Sequence, residues 1–73
     1  MNAIELSQKL VQIQLENEED PFQQGYLAAP IIAESYGYTA EDLANAIDNR
    51  VSFKPSDHQR DLGALKWCRE QSK

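Results

Sequence analysis

The chain has one cysteine, one histidine, one tryptophan and one methionine among its 73 residues. A lone Cys68 excludes an intrachain disulfide. Cys68 and His58 alone cannot build a structural zinc site without borrowed carboxylates. The three glycines, Gly25, Gly37 and Gly63, are scattered singly, which excludes both a phosphate-binding loop and a dinucleotide fingerprint. No run of about 18 apolar residues exists, so no membrane span is expected. The opening residues, Met1-Asn2-Ala3-Ile4-Glu5, lack the basic start and apolar stretch of a signal peptide. A lone thiol and no export signal together lead to the expectation of a cytoplasmic protein.

Basic residues are scarce over the first two-thirds. Residues 1–49 hold nine acidic side chains against Lys9 alone, a charge of −8. Residues 50–73 hold six basic against three acidic side chains, a charge of +3, and the whole carries −5. Hydrophobic residues at 41% are too many for a disordered chain. At this length a single core supplies only about 3–5 kcal/mol, and without disulfide or metal the remaining aid is self-association. The expectation is one helical domain over residues 1–73 that forms a homodimer.

Periodicity predicts an all-α bundle of about four short helices. Over 2–17, Ala3, Leu6, Leu10 and Ile13 recur at helical spacing, and Ile4, Val11 and Leu15 widen the apolar face. Asn2 and Glu5 make a capping pair. Val11 to Leu15 also alternates like a strand, but the longer helical period outweighs it. Asp20-Pro21-Phe22-Gln23 starts the second helix, with Asp20 as cap and Pro21 at the first helical position. Its stripe is Phe22, Tyr26, Ala29, Ala33 and Tyr36, flanked by Leu27, Ile31 and Ile32, and Gly37 stops it. Pro30 removes one hydrogen bond and predicts a kink or break in this helix.

Thr39 caps the third helix, Glu41 and Asp42 complement its dipole, and Tyr38 with Leu43 forms a hydrophobic staple. Leu43, Ala44, Ala46 and Ile47 form its buried face, and Asn49 ends it. Residues 50–55 are a connection with Val51 and Phe53 turned inward. A Ser56–Gln59 box opens the fourth helix, with Leu62, Leu65, Trp67 and Cys68 towards the core. Gly63 within it costs up to about 1 kcal/mol relative to alanine, and either the close approach of another helix or simple tolerance of a weak position accounts for it equally well.

No catalytic constellation stands out. Asp57 and His58 are neighbours, but adjacent residues on a helix point apart and no nucleophile accompanies them. No catalytic, metal or cofactor-binding residue is expected, and no small-molecule substrate. A helix-turn-helix regulator is the alternative reading. Residues 38–47 resemble the first helix of many helix-turn-helix proteins, and Arg60, Lys66 and Arg69 near Trp67 would contact nucleic acid. About seven residues separate the two helices where three or four are usual, and the −8 of the first 49 residues would repel phosphate.

Asp20-Pro21-Phe22 and Gly37-Tyr38-Thr39-Ala40-Glu41-Asp42-Leu43 resemble words of a family of small leader-peptide domains associated with nitrogen-fixation clusters. The resemblance covers about ten residues and gives the C-terminal third no counterpart. No property of that family is carried over.

What remains is surface. Six aromatics are generous for so small a core, and Tyr and Trp are common interface anchors. Phe22, Tyr26, Ile31 and Tyr36 are the expected apolar partner contacts. Glu16, Glu18, Glu19 and Asp20 are the expected acidic ones, imitating a phosphate backbone towards a nucleic-acid-binding protein. The reading is a small regulator or inhibitor, of the antirepressor type, that binds one larger protein and carries no chemistry of its own.

Overall fold

A computed structural model describes residues 2–49 and 54–71. Four helices follow one another: α1 (Ala3–Glu16), α2 (Pro21–Tyr36), α3 (Ala40–Asp48) and α4 (Pro55–Gln71). No strand occurs among the described residues, and Val11 to Leu15 is helical.

Side chains near the ends set most boundaries. Asn2 Oδ1 accepts the Glu5 N–H at 2.8 Å and starts α1. Asp20 Oδ1 accepts the Gln23 N–H at 3.0 Å and starts α2, with Pro21 just inside. Gly37 ends α2 in the left-handed region at φ 69°, where a side chain is costly. That turn lets the Tyr38 N–H reach the Ala33 carbonyl at 2.8 Å. Thr39 and Asp42 form a reciprocal capping box at the start of α3, both bonds at 3.1 Å. Asn49 closes α3 by donating its side-chain N–H to the Asn45 carbonyl at 2.9 Å.

Of the kink or break expected at Pro30, the break is excluded, because one continuous helix passes through it. Two expectations change. α4 begins at Pro55, so Ser56 lies inside the first turn and is not its cap. Proline at the first helical position needs no donor and brings its own φ, which moves the start by one residue. Leu62 faces solvent, while Asp61 and Gly63 are buried in its place. Val51 and Phe53 lie outside the described residues.

α2 and α4 are the central pair. α1 rests on α2 alone, whereas α3 packs on α4 with a smaller contact to α2. Two glycines make the central crossing close. A Cβ on Gly25 would lie 2.7 Å from Arg60 Cα and nearer still to the Arg60 carbonyl. A Cβ on Gly63 would lie 2.9 Å from the Tyr26 nitrogen and overlap the Phe22 carbonyl oxygen. Each glycine therefore admits the other helix's backbone.

The buried core is correspondingly made of small side chains: Ala29, Ala33, Leu43 and Cys68, with Ile32, Ile47, Ala64 and Trp67 packed around them. Among the described residues no large side chain is fully buried. Close backbone approach replaces bulky interdigitation.

Candidate functional site

The two outer helices rest on different supports. α1 touches neither α3 nor α4. A gap therefore opens between α1 and α3, above the α2–α4 pair. It is an open groove of about 350 Å³. Leu10 and Ile13 line one wall, Leu43, Ala46 and Ile47 the other, and Ala28, Ala29 and Ile32 part of the floor. Tyr36 and Tyr38 stand at one end, their ring centroids 5.6 Å apart.

The rest of the floor is polar and tied down. Buried Gln24 donates its side-chain N–H to the Asn17 carbonyl at 2.7 Å and accepts from Arg60 Nε at 2.8 Å. Arg60 also donates to Asp57 Oδ1 at 2.9 Å. Asn17 fastens this network to α1 by donating its side-chain N–H to the Ile13 carbonyl at 3.0 Å. One glutamine thus links the end of α1 to α4. Asp61 lines the same floor and is buried. No described buried side-chain nitrogen or oxygen lacks a hydrogen bond. An apolar segment entering here would meet hydrocarbon walls and polar groups already satisfied by one another.

The residues singled out from the sequence divide. Phe22, Tyr26, Ala29, Ala33 and Tyr36 do share one stripe of α2 at helical spacing. Most of that stripe faces α4 rather than a free surface. Phe22 and Tyr26 are half-buried, and the Lys66 ammonium lies 5.9 Å and 5.7 Å from their ring centres. The Tyr26 hydroxyl donates to a Glu70 carboxylate oxygen at 2.5 Å. That bond, with burial and the Glu70 charge adding to it, holds the Tyr26 phenol above its ordinary pKa. Tyr36 is 62% exposed and reaches the groove, while Ile31 is half-buried and not among the groove residues.

Glu16, Glu18, Glu19 and Asp20 come together at the α1–α2 corner, all exposed. Asp20 is occupied as the α2 cap, and Glu16 accepts from Gln12 Nε2 at 3.1 Å. Arg60, Lys66 and Arg69 do not form one basic face. Nine residues at 100° each put Arg69 half a turn round the helix from Arg60. Arg60 is held by Gln24 and Asp57, and Lys66 lies over Phe22 and Tyr26. Only Arg69 is left exposed with no ion pair or ring contact described.

Cys68 is buried, and burial pushes its thiol pKa up, with the Asp48 charge in the same direction and a backbone hydrogen bond opposing. No group of three or more His, Cys, Asp or Glu among the described residues could hold a metal ion. No described helix is long and apolar enough to cross a membrane.

The groove itself escapes a reading of the sequence, because it results from α1 and α3 failing to meet. Its polar floor escapes too, since Gln24 and Arg60 are 36 residues apart. The one available signal was Gly25, whose place on the α2 stripe beside Tyr26 resembles that of Gly63 on α4. No family model matches the chain, no curated protein matches its sequence, and no solved structure matches its fold.

Proposed function

We propose that the chain is a small interaction module that regulates or inhibits a larger protein by taking an apolar helical segment of it into the groove between α1 and α3. The observation that supports this is the groove itself. Leu10 and Ile13 on α1 stand across open space from Leu43 and Ile47 on α3, which pack on the core by one side and line the groove by the other. An amphipathic segment laid between two helices is a recurring recognition mode, and about 350 Å³ lies within the range of binding pockets.

Tyr36 and Tyr38 would close over one end of the segment, and a bend of α2 at Pro30 would tilt that end inward. The protein acts as a homodimer in the cytoplasm, where Cys68 stays a thiol. It needs no cofactor and performs no reaction.

The acidic corner favours a partner with a basic surface, such as a nucleic-acid-binding protein. Glu18 and Glu19 are exposed on the turn that follows the groove wall α1. Their carboxylates would steer such a partner and be sensitive to salt.

Ala46 lies on the groove wall and is exposed. Ala46→Trp fills the groove and leaves the buried core untouched. In capture from native lysate, a stoichiometric partner held by the wild-type chain is expected to be lost with Ala46→Trp. Retention of that partner at equal yield overturns the groove as its site. A Glu18→Gln, Glu19→Gln chain is expected to bind the same partner more slowly, with less dependence on salt.

A further inference from the structure

α1 is fastened to the rest of the chain at one end only. It contains no buried residue and touches α2 alone, where Leu6, Leu10 and Ile13 are half-buried. Among the hydrogen bonds and ion pairs between described residues, none joins residues 3–16 to another helix. The fastening lies just past the C-terminal end. The Asn17 carbonyl accepts from Gln24 Nε2 at 2.7 Å and from the Asp20 N–H at 2.9 Å, which ties it to the start of α2. The Asn17 backbone has already left helical geometry, at φ −126° and ψ 38°. An element with so few buried contacts moves at low cost in free energy, and one tied at a single end turns about that end.

The two flanks of α1 differ. Leu10, Ile13 and Gln14 line the groove, across open space from Leu43, Ala46 and Ile47 of α3. At 100° per residue, Glu5, Lys9 and Glu16 fall on the flank away from the groove. Turning towards α3 therefore takes apolar surface out of water, whereas the opposite turn leads with charged side chains.

We infer that α1 is a gate. It pivots at Asn17 between the open position and a closed one, in which Leu10 and Ile13 meet Leu43, Ala46 and Ile47. Leu10 lies about 10 Å along the helix axis from the pivot, and Ala3 about 21 Å. A turn of about 20° carries Leu10 about 4 Å and the N-terminal end about 7 Å. About 4 Å is the separation of two carbons in contact, so a small rotation removes the room for a side chain. The closed walls cover the same surface that a helical segment of a partner needs. Closure therefore competes with capture, and the open fraction scales the apparent affinity. The inference rests on the groove reading of the proposed function and adds how entry to the groove is regulated.

Spin labels on the full chain, at Ala3→Cys and Asn45→Cys, test the gate with no partner present. Both positions are exposed and neither lines the groove. Cys68 is buried and stays unlabelled, which the mass of the labelled chain verifies. Double electron–electron resonance is expected to show two distances, differing by up to about 7 Å. Ala46→Glu is expected to lower the population at the shorter distance at least about threefold, because its carboxylate stands in water with the gate open and is buried against Leu10 and Ile13 with it closed. A single distance in the labelled chain, or a shorter population that Ala46→Glu leaves unchanged, overturns the gate.

Hydrogen exchange of the unsubstituted chain reads the same weakness without labels. The α1 amides are expected to exchange at least about tenfold faster than those of α2 and α4, since a short helix off its support is marginal in water. Equal protection of the three helices also overturns the gate. A single distance together with loss of the partner in Ala46→Trp removes the gate and leaves the groove reading standing. Two distances together with a partner retained by Ala46→Trp remove the groove as the partner's site and leave the motion of α1 standing.

Discussion

Replacing Gly25 by alanine sets two effects of opposite sign against each other. In an open helix the change stabilises by up to about 1 kcal/mol, because glycine loses more backbone freedom on folding. Here the added methyl would sit 2.7 Å from Arg60 Cα, against about 3.4 Å for ordinary contact. The Arg60 Cα alone asks α2 and α4 to part by about 0.7 Å at their crossing, the nearer Arg60 carbonyl asks for more, and the obstacle is backbone that no rotamer change can move aside. Gaps of that size forfeit a quarter to a half of each dispersion contact they open. The contacts opened include those of Ala29, Ala33 and Cys68, which form most of the buried core.

Overpacking costs typically about 1–3 kcal/mol, and a backbone obstacle belongs at the upper end. After the gain in propensity, Gly25→Ala is expected to destabilise by about 2 kcal/mol. That lowers the melting temperature by roughly 8–16 °C for a domain of this size. It is also a large part of the few kcal/mol available to so small a core. Gly63→Ala should behave alike. The double variant should lose less than the sum, since helices already parted for one methyl admit the second more cheaply. Urea unfolding followed by helical circular dichroism at fixed chain concentration measures all three. A Gly25→Ala chain as stable as the wild type, or more stable, would refute the close crossing.

Other outcomes follow from single contacts. Thr39→Ala removes one half of the α3 capping box and should cost about 1 kcal/mol in the same unfolding assay. Gln24→Ala leaves Arg60 Nε and the Asn17 carbonyl without their shared partner and should cost about 1–3 kcal/mol, with an increase in hydrogen exchange over α1. The raised Tyr26 pKa means that its stabilising contribution is fully present below the ordinary tyrosine value near 10 and is lost as pH rises through the higher folded value. Unfolding midpoints should therefore fall more steeply above pH 10 in the wild type than in Tyr26→Phe. Cys68, buried with a raised thiol pKa, should react slowly with a thiol reagent in the native chain and at the free-cysteine rate in denaturant.

The helices were legible because their ends carry local chemistry. Asn2, Asp20, Gly37, Thr39 and Asn49 each act within four or five residues of chain, and each does so in the structure. The inner face of α4 was not legible in the same way. It buries Asp61, Gly63 and Cys68, so the apolar spacing that marks other helices is weak there and pointed to Leu62 instead. Gly63 left a close approach and a tolerated weak position equally open, and its own helix could not choose between them, whereas Gly25 was passed over because Phe22, Tyr26 and Ala29 already accounted for that stripe.

The candidate site was legible only in pieces. Apolar richness from Phe22 to Tyr38 was visible, but which part faces α4 and which part faces the groove depends on where α1 and α3 rest. The extra width of the α1 stripe, Ile4, Val11 and Leu15, was read as a broad core face. It proves to be a second face, exposed on the far side of the helix. Arg60 looked like a free cation because its partner Gln24 is a neutral residue far away in sequence.

The most direct test of the account is to find which residues sense the partner. With the chain's methyl groups isotopically labelled, the captured partner, or the segment of it that binds, is titrated in and the shifts are followed. The account predicts that Ile13, Ile32, Leu43, Ala46 and Ile47 move together and saturate together, while Leu62 stays still. Shifts confined to Ile4, Val11 and Leu15, or to groups beside Lys66 and Arg69, with the groove methyls unmoved, would contradict it.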